Sequence, residues 1–186
     1  MSIKAFHDRR RLVAAVAAAA VLSAAMTLAA PTAKSAAGRS VEERIQALQS
    51  DRQIRELLEE YGHRFDTLDL AGYSHLFSAK GTWNGNFGGS YVTATGPAEV
   101  LAMMMRVLGK PQYDARKVAG FHLMTNFLIR VEGDHATSFS RWTYFIRDKD
   151  NDLTPSLAGH YEDKLIREQG QWKFLERRVF KDIPND

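Results

Sequence analysis

The first patterned segment of the chain, residues 41–68, has apolar side chains at helical spacing. The stripe consists of Ile45, Leu48, Ile54, Leu57, Leu58, Tyr61, Phe65 and Leu68. This spacing places the side chains on one face and predicts an amphipathic helix. The Ser50-Asp51 pair is a favourable helix N-cap, so we expect a break there between a short lead-in and the main helix.

The next segment predicts two short helices on either side of a hairpin. Residues 72–78 form the first of these helices, after a turn. The glycine-rich stretch 80–96 contains the β-prone run 91–93 and predicts a hairpin. Pro97 stands where proline is favoured in a first helical turn, so a helix is expected from there to residue 108.

The pattern then changes to one that is typical of strands. Four strand-like runs follow, at 120–131, 136–147, 156–168 and 171–181. The connections between them are short, which makes neighbouring strands antiparallel. Helices followed by a long antiparallel meander predict an α+β domain, with the helices packed on one face of a bent sheet.

The run 120–131 carries two polar side chains that a buried strand does not need. His122 and Asn126 are four residues apart, so strict alternation puts both on one face. On the preceding helix, Asp66 follows Gly62 by four residues and lies at the margin of the apolar stripe. A carboxylate that faces an imidazole fixes the ring tautomer, as a general base working near neutral pH requires. The alternative is a satisfied core histidine beside a surface aspartate.

The first 37 residues differ from the rest of the chain. A basic start is followed by the uncharged run 12–30 and by small residues at 35–37, which is the composition of a secretory signal peptide. An uncleaved membrane anchor is the alternative, because the apolar run is nearly long enough to span a bilayer. We predict a signal peptide at 1–37 and one domain at 38–186, periplasmic or secreted, with no membrane contact after cleavage.

The net charge and the reactive residue types limit the functions that we expect for the chain. The formal net charge is +3, and residues 1–37 hold five Lys or Arg and one Asp, so the remainder is close to −1. Such a balance gives no electrostatic footprint for nucleic acid. The chain has no cysteine, which excludes disulfides and thiolate chemistry. Because no ligands are clustered at metal spacing, we expect neither a metal nor another cofactor.

Several strings of the chain resemble, in order, the SnoaL-like branch of the nuclear transport factor 2-like (NTF2-like) superfamily. They are 54–77, 81-GTW-83, Gly96-Pro97, 122-HLMTN-126, 159–167 and 171–178. The resemblance implies a cone-shaped α+β fold, in which helices pack on a strongly bent mixed or antiparallel sheet around an apolar pocket. The branch includes scytalone dehydratase, the hexachlorocyclohexane dehydrochlorinase and polyketide cyclases.

The resemblance also implies roles for individual residues. In the dehydratase and dehydrochlorinase members, an aspartate late in the first long helix orients a histidine that abstracts a substrate proton. The matching positions here are Asp66 and His122, which are therefore the catalytic candidates. The candidates for substrate binding are Tyr61, Asn126, Trp83 and Arg177. Arg177 and Arg178 are neighbours on a strand, so one points inward, where it could hold an anionic group; a solvated pair is the alternative.

Together these patterns predict an exported, cofactor-independent lyase or isomerase of the dehydratase type, acting on an apolar ring-containing small molecule. The alternative is a non-catalytic binding module or subunit partner with the same pocket. The small subunit of ring-hydroxylating dioxygenases shares the fold, but an export leader argues against that partnership. Because the run 120–131 is largely apolar on both faces, we expect a homo-oligomer, a dimer or trimer, formed sheet against sheet.

Overall fold

The computed structural model describes Gly38 and residues 40–87, 90–108 and 120–183. By its contacts the chain separates into two units, Met1–Ala37 and Gly38–Asp186, and every described residue belongs to the second. The predicted signal peptide lies outside the described residues. Within the described ranges, no helix has the length and apolar character needed to cross a membrane.

The first helix, α1, is continuous over Val41–Asp66. Its N-terminus is capped by Ser40, whose hydroxyl accepts from the Glu43 amide at 3.1 Å, while the Glu43 carboxylate accepts from the Ser40 amide at 2.8 Å. This reciprocal arrangement is a capping box. The predicted break near Ser50 is wrong, because the Ser50 hydroxyl donates to the carbonyl of Gln46 at 2.8 Å within the helix instead of capping a new one.

Two further helices flank a hairpin. The elements are α2 (Leu70–Ser74), β1 (Phe77–Phe87), β2 (Ser90–Thr95) and α3 (Gly96–Leu108). The predicted hairpin and the helix that opens near Pro97 are confirmed. The second helix is shorter than predicted, since its apolar run passes into β1 at Phe77.

Four long strands complete the fold and confirm the four predicted runs. They are β3 (Gly120–Glu132), β4 (His135–Arg147), β5 (Leu153–Glu168) and β6 (Gln171–Ile183). The sheet order is β2-β1-β6-β5-β4-β3. β1 pairs parallel with β6, and the other neighbours are antiparallel. The helices therefore pack on a curved, unclosed, mixed sheet, as predicted.

Strand β3 contains a bulge that sets which side chains face the helices. Between Thr125 and Leu128 its pairing with β4 shifts by one residue. Asn126 lies in this bulge with a φ of 56°, in the left-handed region that asparagine tolerates better than most residues. Its side chain is exposed. The prediction that Asn126 shares the face of His122 is wrong, because the bulge interrupts the alternation.

The two faces of the sheet have different contents. We call the face against the helices the inner face; it carries His122, Trp142, Tyr144, Asp163 and Arg177. The opposite, outer face carries Phe139, Arg141, His160, Glu162, Arg178 and Phe180. Each set follows from the register, because residues directly opposite each other on neighbouring strands point to the same side.

Candidate active site

Asp66, the last residue of α1, meets His122 of β3 through two hydrogen-bond contacts. Its Oδ1 lies 2.6 Å from Nδ1 of the imidazole, and its Oδ2 accepts from the His122 backbone amide at 2.8 Å. The two side chains keep exposed fractions of 14% and 9%. An ionised carboxylate only accepts, so Nδ1 carries the ring proton and Nε2 presents a lone pair.

Gly62 is the point of close approach between α1 and β3. A Cβ added there would lie 3.4 Å from Cβ of His122, at the near limit of ordinary van der Waals contact. A residue larger than alanine would press the helix away from the strand. This close packing lets Asp66, one turn further along, reach His122, so the structure brings the two predicted residues together.

Aromatic rings surround the imidazole of His122. The ring centroids of Phe65, Tyr144 and Trp142 lie 5.1, 4.8 and 6.1 Å from it. No described residue forms a hydrogen bond with Nε2. One nitrogen of the ring is thus held by Asp66, while the other lies in aromatic surroundings without a hydrogen-bond partner among the described residues.

Tyr144 is a residue of this site that the sequence reasoning missed. It pairs directly with His122 across β3 and β4. Burial raises the pKa of its phenol, and the negative charge of Asp66 raises it further, so the hydroxyl stays protonated at neutral pH. The turn at Gly133 indicates how β3 and β4 pair at one end, so the sequence offered a partial signal. Without a bulge, however, that pairing would place Phe145 opposite His122. Only the bulge in β3 moves Tyr144 into that position.

Tyr61 and Trp83 lie together in the packed core. The Tyr61 hydroxyl accepts from the hydroxyl of Tyr73 at 2.6 Å and from Nε1 of Trp83 at 2.9 Å. All three side chains are buried, and burial raises the pKa of Tyr61 against the opposing effect of Arg177. The phenol oxygen that was predicted to contact substrate is therefore occupied by a structural network.

Arg177 points inward, and its guanidinium is completely buried. Nε and Nη2 donate to Asp163 at 2.7 and 2.9 Å, and Asp163 also accepts from Ser138 at 2.8 Å. Burial alone would lower the pKa of Arg177, but the carboxylate of Asp163 outweighs it and the pKa lies above its usual value. The guanidinium carbon is 3.9 Å from the ring centroid of Tyr61. The alternative of a solvated arginine is therefore wrong for Arg177. Its positive charge is already paired with Asp163.

The remaining predicted contact, Asn126, does not join the site. The bulge leaves its side chain exposed. In the part of the chain that the structure describes, no three His, Asp or Glu side chains are grouped so as to hold a metal ion.

The comparisons with known proteins agree with this architecture. The family model described as SnoaL-like domain matches residues 46–178. No curated protein matches the chain. Among solved structures, a single-residue variant of Rv3472, a protein of unknown function from Mycobacterium tuberculosis, is 26% identical with a TM-score of 0.61, covering 79% of this chain and 78% of that one.

Two structures from Novosphingobium aromaticivorans are similar in fold. An NTF2-like protein with a cystatin-like fold is 20% identical, with a TM-score of 0.64 and coverage of 77% of this chain and 89% of that one. A candidate scytalone dehydratase is 19% identical, with a TM-score of 0.59 and coverage of 74% and 87%. Because the family model extends from α1 to β6, the chain belongs to the SnoaL-like domain family, within the NTF2-like fold.

Proposed function

We propose that this protein is a cofactor-independent lyase or isomerase that uses His122 as a general base on a ring-containing small molecule. The observation that carries the proposal is the position of Asp66. Its two oxygens hold Nδ1 and the backbone amide of His122, so Nε2 has both a fixed direction and a lone pair. A base poised in this way removes a proton efficiently near neutral pH.

The surroundings of the imidazole favour a flat, apolar substrate. Phe65, Trp142 and Tyr144 place three rings within 6.1 Å of His122, measured between centroids, and aromatic side chains stack well on other rings. The similarity to a candidate scytalone dehydratase and the SnoaL-like family match support the same class of chemistry.

The proposed reaction starts at a C–H bond beside a carbonyl. Nε2 of His122 takes the proton, and the bonding pair moves into the carbonyl to give an enolate. Asp66 then stabilises the imidazolium. In a dehydration, the pair returns and expels a β-hydroxyl, which leaves as water with that proton. In an isomerisation, the proton returns to another carbon. Neither outcome changes the oxidation state of the substrate.

Deuterium exchange tests this proposal without knowledge of the natural substrate. 2-Tetralone is a bicyclic ketone with acidic C–H bonds beside its carbonyl, and NMR in D₂O follows their exchange. We expect the protein to exceed an equal concentration of free imidazole by about 10²-fold or more. Binding of 2-tetralone without any exchange above the imidazole control would contradict catalysis and favour the binding module.

We also propose that the chain is exported and cleaved. The composition of residues 1–37 supports this, with a mature N-terminus expected between about Ala30 and Arg39. N-terminal sequencing of the protein from the periplasm or medium checks it, and an intact Met1 there would contradict cleavage.

Finally, we propose a homo-oligomer formed sheet against sheet through strand β3, at the edge of the sheet away from Glu162 and Arg178. Phe121, Leu123 and Leu128 of β3 have exposed fractions of 39%, 48% and 66%, and apolar exposure of this kind favours a protein interface. Light scattering of the mature protein is expected to give a dimer or trimer. A monomer at micromolar concentration would contradict the assembly.

A further inference from the structure

We propose that Tyr144 is the hydrogen-bond donor that holds the carbonyl oxygen of the substrate beside His122. This inference rests on the proposed function, and it assigns the group that stabilises the enolate. Tyr144 stands directly opposite His122 in the β3–β4 register, and the two ring centroids are 4.8 Å apart. No described residue forms a hydrogen bond with the Tyr144 hydroxyl.

The chemistry requires such a donor. Removal of a proton beside a carbonyl places negative charge on the carbonyl oxygen, and a donor aimed at that oxygen stabilises the transition state more than the ground state. Two of the predicted substrate-binding residues, Tyr61 and Asn126, have side chains that donate hydrogen bonds, but neither is in position. The Tyr61 hydroxyl is held in the core by Tyr73 and Trp83, and Asn126 is exposed at the bulge.

Trp142 is the other nearby side chain with a hydrogen-bond donor, its indole N–H group, but its surroundings exclude it from contact with a ligand. Its Nε1 has no hydrogen-bond partner but is completely enclosed by neighbouring atoms, so a ligand does not reach it. Tyr144 is only partly buried, and its hydroxyl has no hydrogen-bond partner among the described residues. Of the two, Tyr144 is therefore the better-placed donor next to His122.

The structure makes room for this phenol and holds it in place. A Cβ added at Gly120 would lie 2.8 Å from the Tyr144 hydroxyl, so the glycine leaves the space that the hydroxyl uses. Phe65 meets both rings edge-on, at 5.1 Å from His122 and 6.4 Å from Tyr144. Base and donor thus belong to one packed wall, as a site that positions two groups on one substrate requires.

The protonation state of the Tyr144 phenol suits a hydrogen-bond donor. Burial and the charge of Asp66 raise the pKa of Tyr144, so the phenol keeps its proton throughout the neutral range. In the proposed step the substrate proton passes to Nε2 of His122, while the hydroxyl of Tyr144 donates to the enolate oxygen and retains its own proton. Tyr144 would then be a catalytic residue by direct contact, whereas Asp66 is a positioning residue.

A pair of ligands tests the donor independently of turnover. 2-Naphthol has the skeleton and oxygen position of the enol of 2-tetralone, and 2-methylnaphthalene has the same size without the oxygen. Calorimetry or fluorescence gives the two affinities, and their ratio removes the hydrophobic contribution that both ligands share. Tyr144→Phe is expected to lower the preference for 2-naphthol about three- to tenfold, the effect of one neutral hydrogen bond. Tyr91→Phe, a tyrosine exposed on the outer face, is the control and should leave the ratio unchanged.

Two results would overturn the assignment. One is an unchanged ratio in a Tyr144→Phe variant that melts at the wild-type temperature. The other is a ratio that falls in His122→Ala but not in Tyr144→Phe, since the oxygen would then be held by the imidazole. Because only binding is measured, this outcome is separate from whether the protein turns over a substrate.

The exchange of 2-tetralone gives a second readout. We expect Tyr144→Phe to lower kcat by about 10²-fold, as loss of one oxyanion donor does, with little change in KM. A structural role would instead lower the rate only in proportion to the folded fraction. Wild-type kcat in Tyr144→Phe would overturn the donor role, whereas absence of exchange in the wild-type protein would overturn the proposed function and leave the naphthol ratio to decide on Tyr144.

Discussion

An Asp–His pair lies on each side of the sheet, and the pairs differ in their surroundings. On the inner face, Asp66 and His122 are 14% and 9% exposed; on the outer face, Asp182 and His160 are 32% and 22% exposed. Each imidazole meets its carboxylate through Nδ1, at 2.6 Å inside and 2.9 Å outside. The residue types alone therefore do not distinguish a candidate active site from a surface pair.

The contacts around each pair make the distinction. His160 is stacked between Phe139 and Phe180, with ring centroids 5.4 and 4.5 Å away, so both faces of the imidazole are covered. Asp182 also accepts from Arg141 at 3.3 Å. Asp66, by contrast, gives both oxygens to His122. The inner imidazole is thus held in a fixed position by a single carboxylate that has no other described partner, and a general base needs such a fixed position.

The same contrast separates two neighbouring arginines. Arg177 and Asp163 are both 0% exposed on the inner face, whereas Arg178 and Glu162 are both 48% exposed on the outer face. A buried pair leaves an uncompensated charge in the core when one partner is removed. An exposed pair is screened by water and contributes little.

The largest expected effect concerns these two arginine pairs. Asp163→Ala should lower the free energy of unfolding by about 3–5 kcal/mol, because the buried guanidinium of Arg177 loses its partner. Glu162→Ala, the matched outer variant, should lower it by less than about 1 kcal/mol. Urea unfolding of both variants measures the difference. Equal shifts would show that the two faces do not differ in this respect.

The next effect concerns the two aspartates that face histidines. Asp66→Asn should lower the exchange rate of 2-tetralone by about 10²-fold, since an amide supports the wrong ring tautomer and does not stabilise the imidazolium. Asp182→Asn should leave the rate unchanged, because His160 lies on the outer face, away from the proposed site. Initial rates in D₂O compare them, and a similar loss in both variants would break the comparison.

A smaller effect concerns the bulge that turns His122 inward. Asn126→Val should cost about 1–2 kcal/mol, because a β-branched residue is strained at a positive φ, and it should also slow exchange by disturbing the position of His122. Asn126→Gly is the control and should retain stability and rate, since glycine adopts this φ freely. Urea unfolding and exchange rates check both. Equal rates in the two variants would show that the bulge does not position the histidine.

The smallest expected effect is a loss of stability in alkali. Burial raises the pKa values of Tyr61, Tyr73 and Tyr161 on the inner side of the fold. The three buried phenols contribute fully to the free energy of unfolding below about pH 10, the pKa of a tyrosine in the unfolded chain. This contribution is lost as the pH rises further, because the phenols of the unfolded chain release their protons first. Unfolding by urea at pH 9 and pH 11 measures it. Tyr61→Phe should make the loss of stability between pH 9 and pH 11 smaller. An unchanged loss in this variant would contradict the prediction.

The sequence predicted what depends on local periodicity. The stripe of α1 and the four strand runs followed from the spacing of apolar residues, and the nearness of Asp66 and His122 from the helix margin and the family resemblance. The bulge at Asn126 was not predictable, because it depends on how two strands pair. The position of Tyr144 opposite His122 follows from that bulge. The burial of Arg177 against Asp163 likewise depends on the register of β5 with β6, which alternation within one strand does not determine.

The most direct test of the central claim compares the two histidines in one experiment. Exchange of 2-tetralone and melting temperature are measured on the same samples of His122→Ala and His160→Ala, with His122→Gln as a second inner variant that keeps a donor for Asp66. We expect both inner variants to fall to the rate of the buffer at near wild-type melting temperature, while His160→Ala keeps the wild-type rate. A well-folded His122→Ala protein with wild-type exchange would show that the inner histidine is not the base.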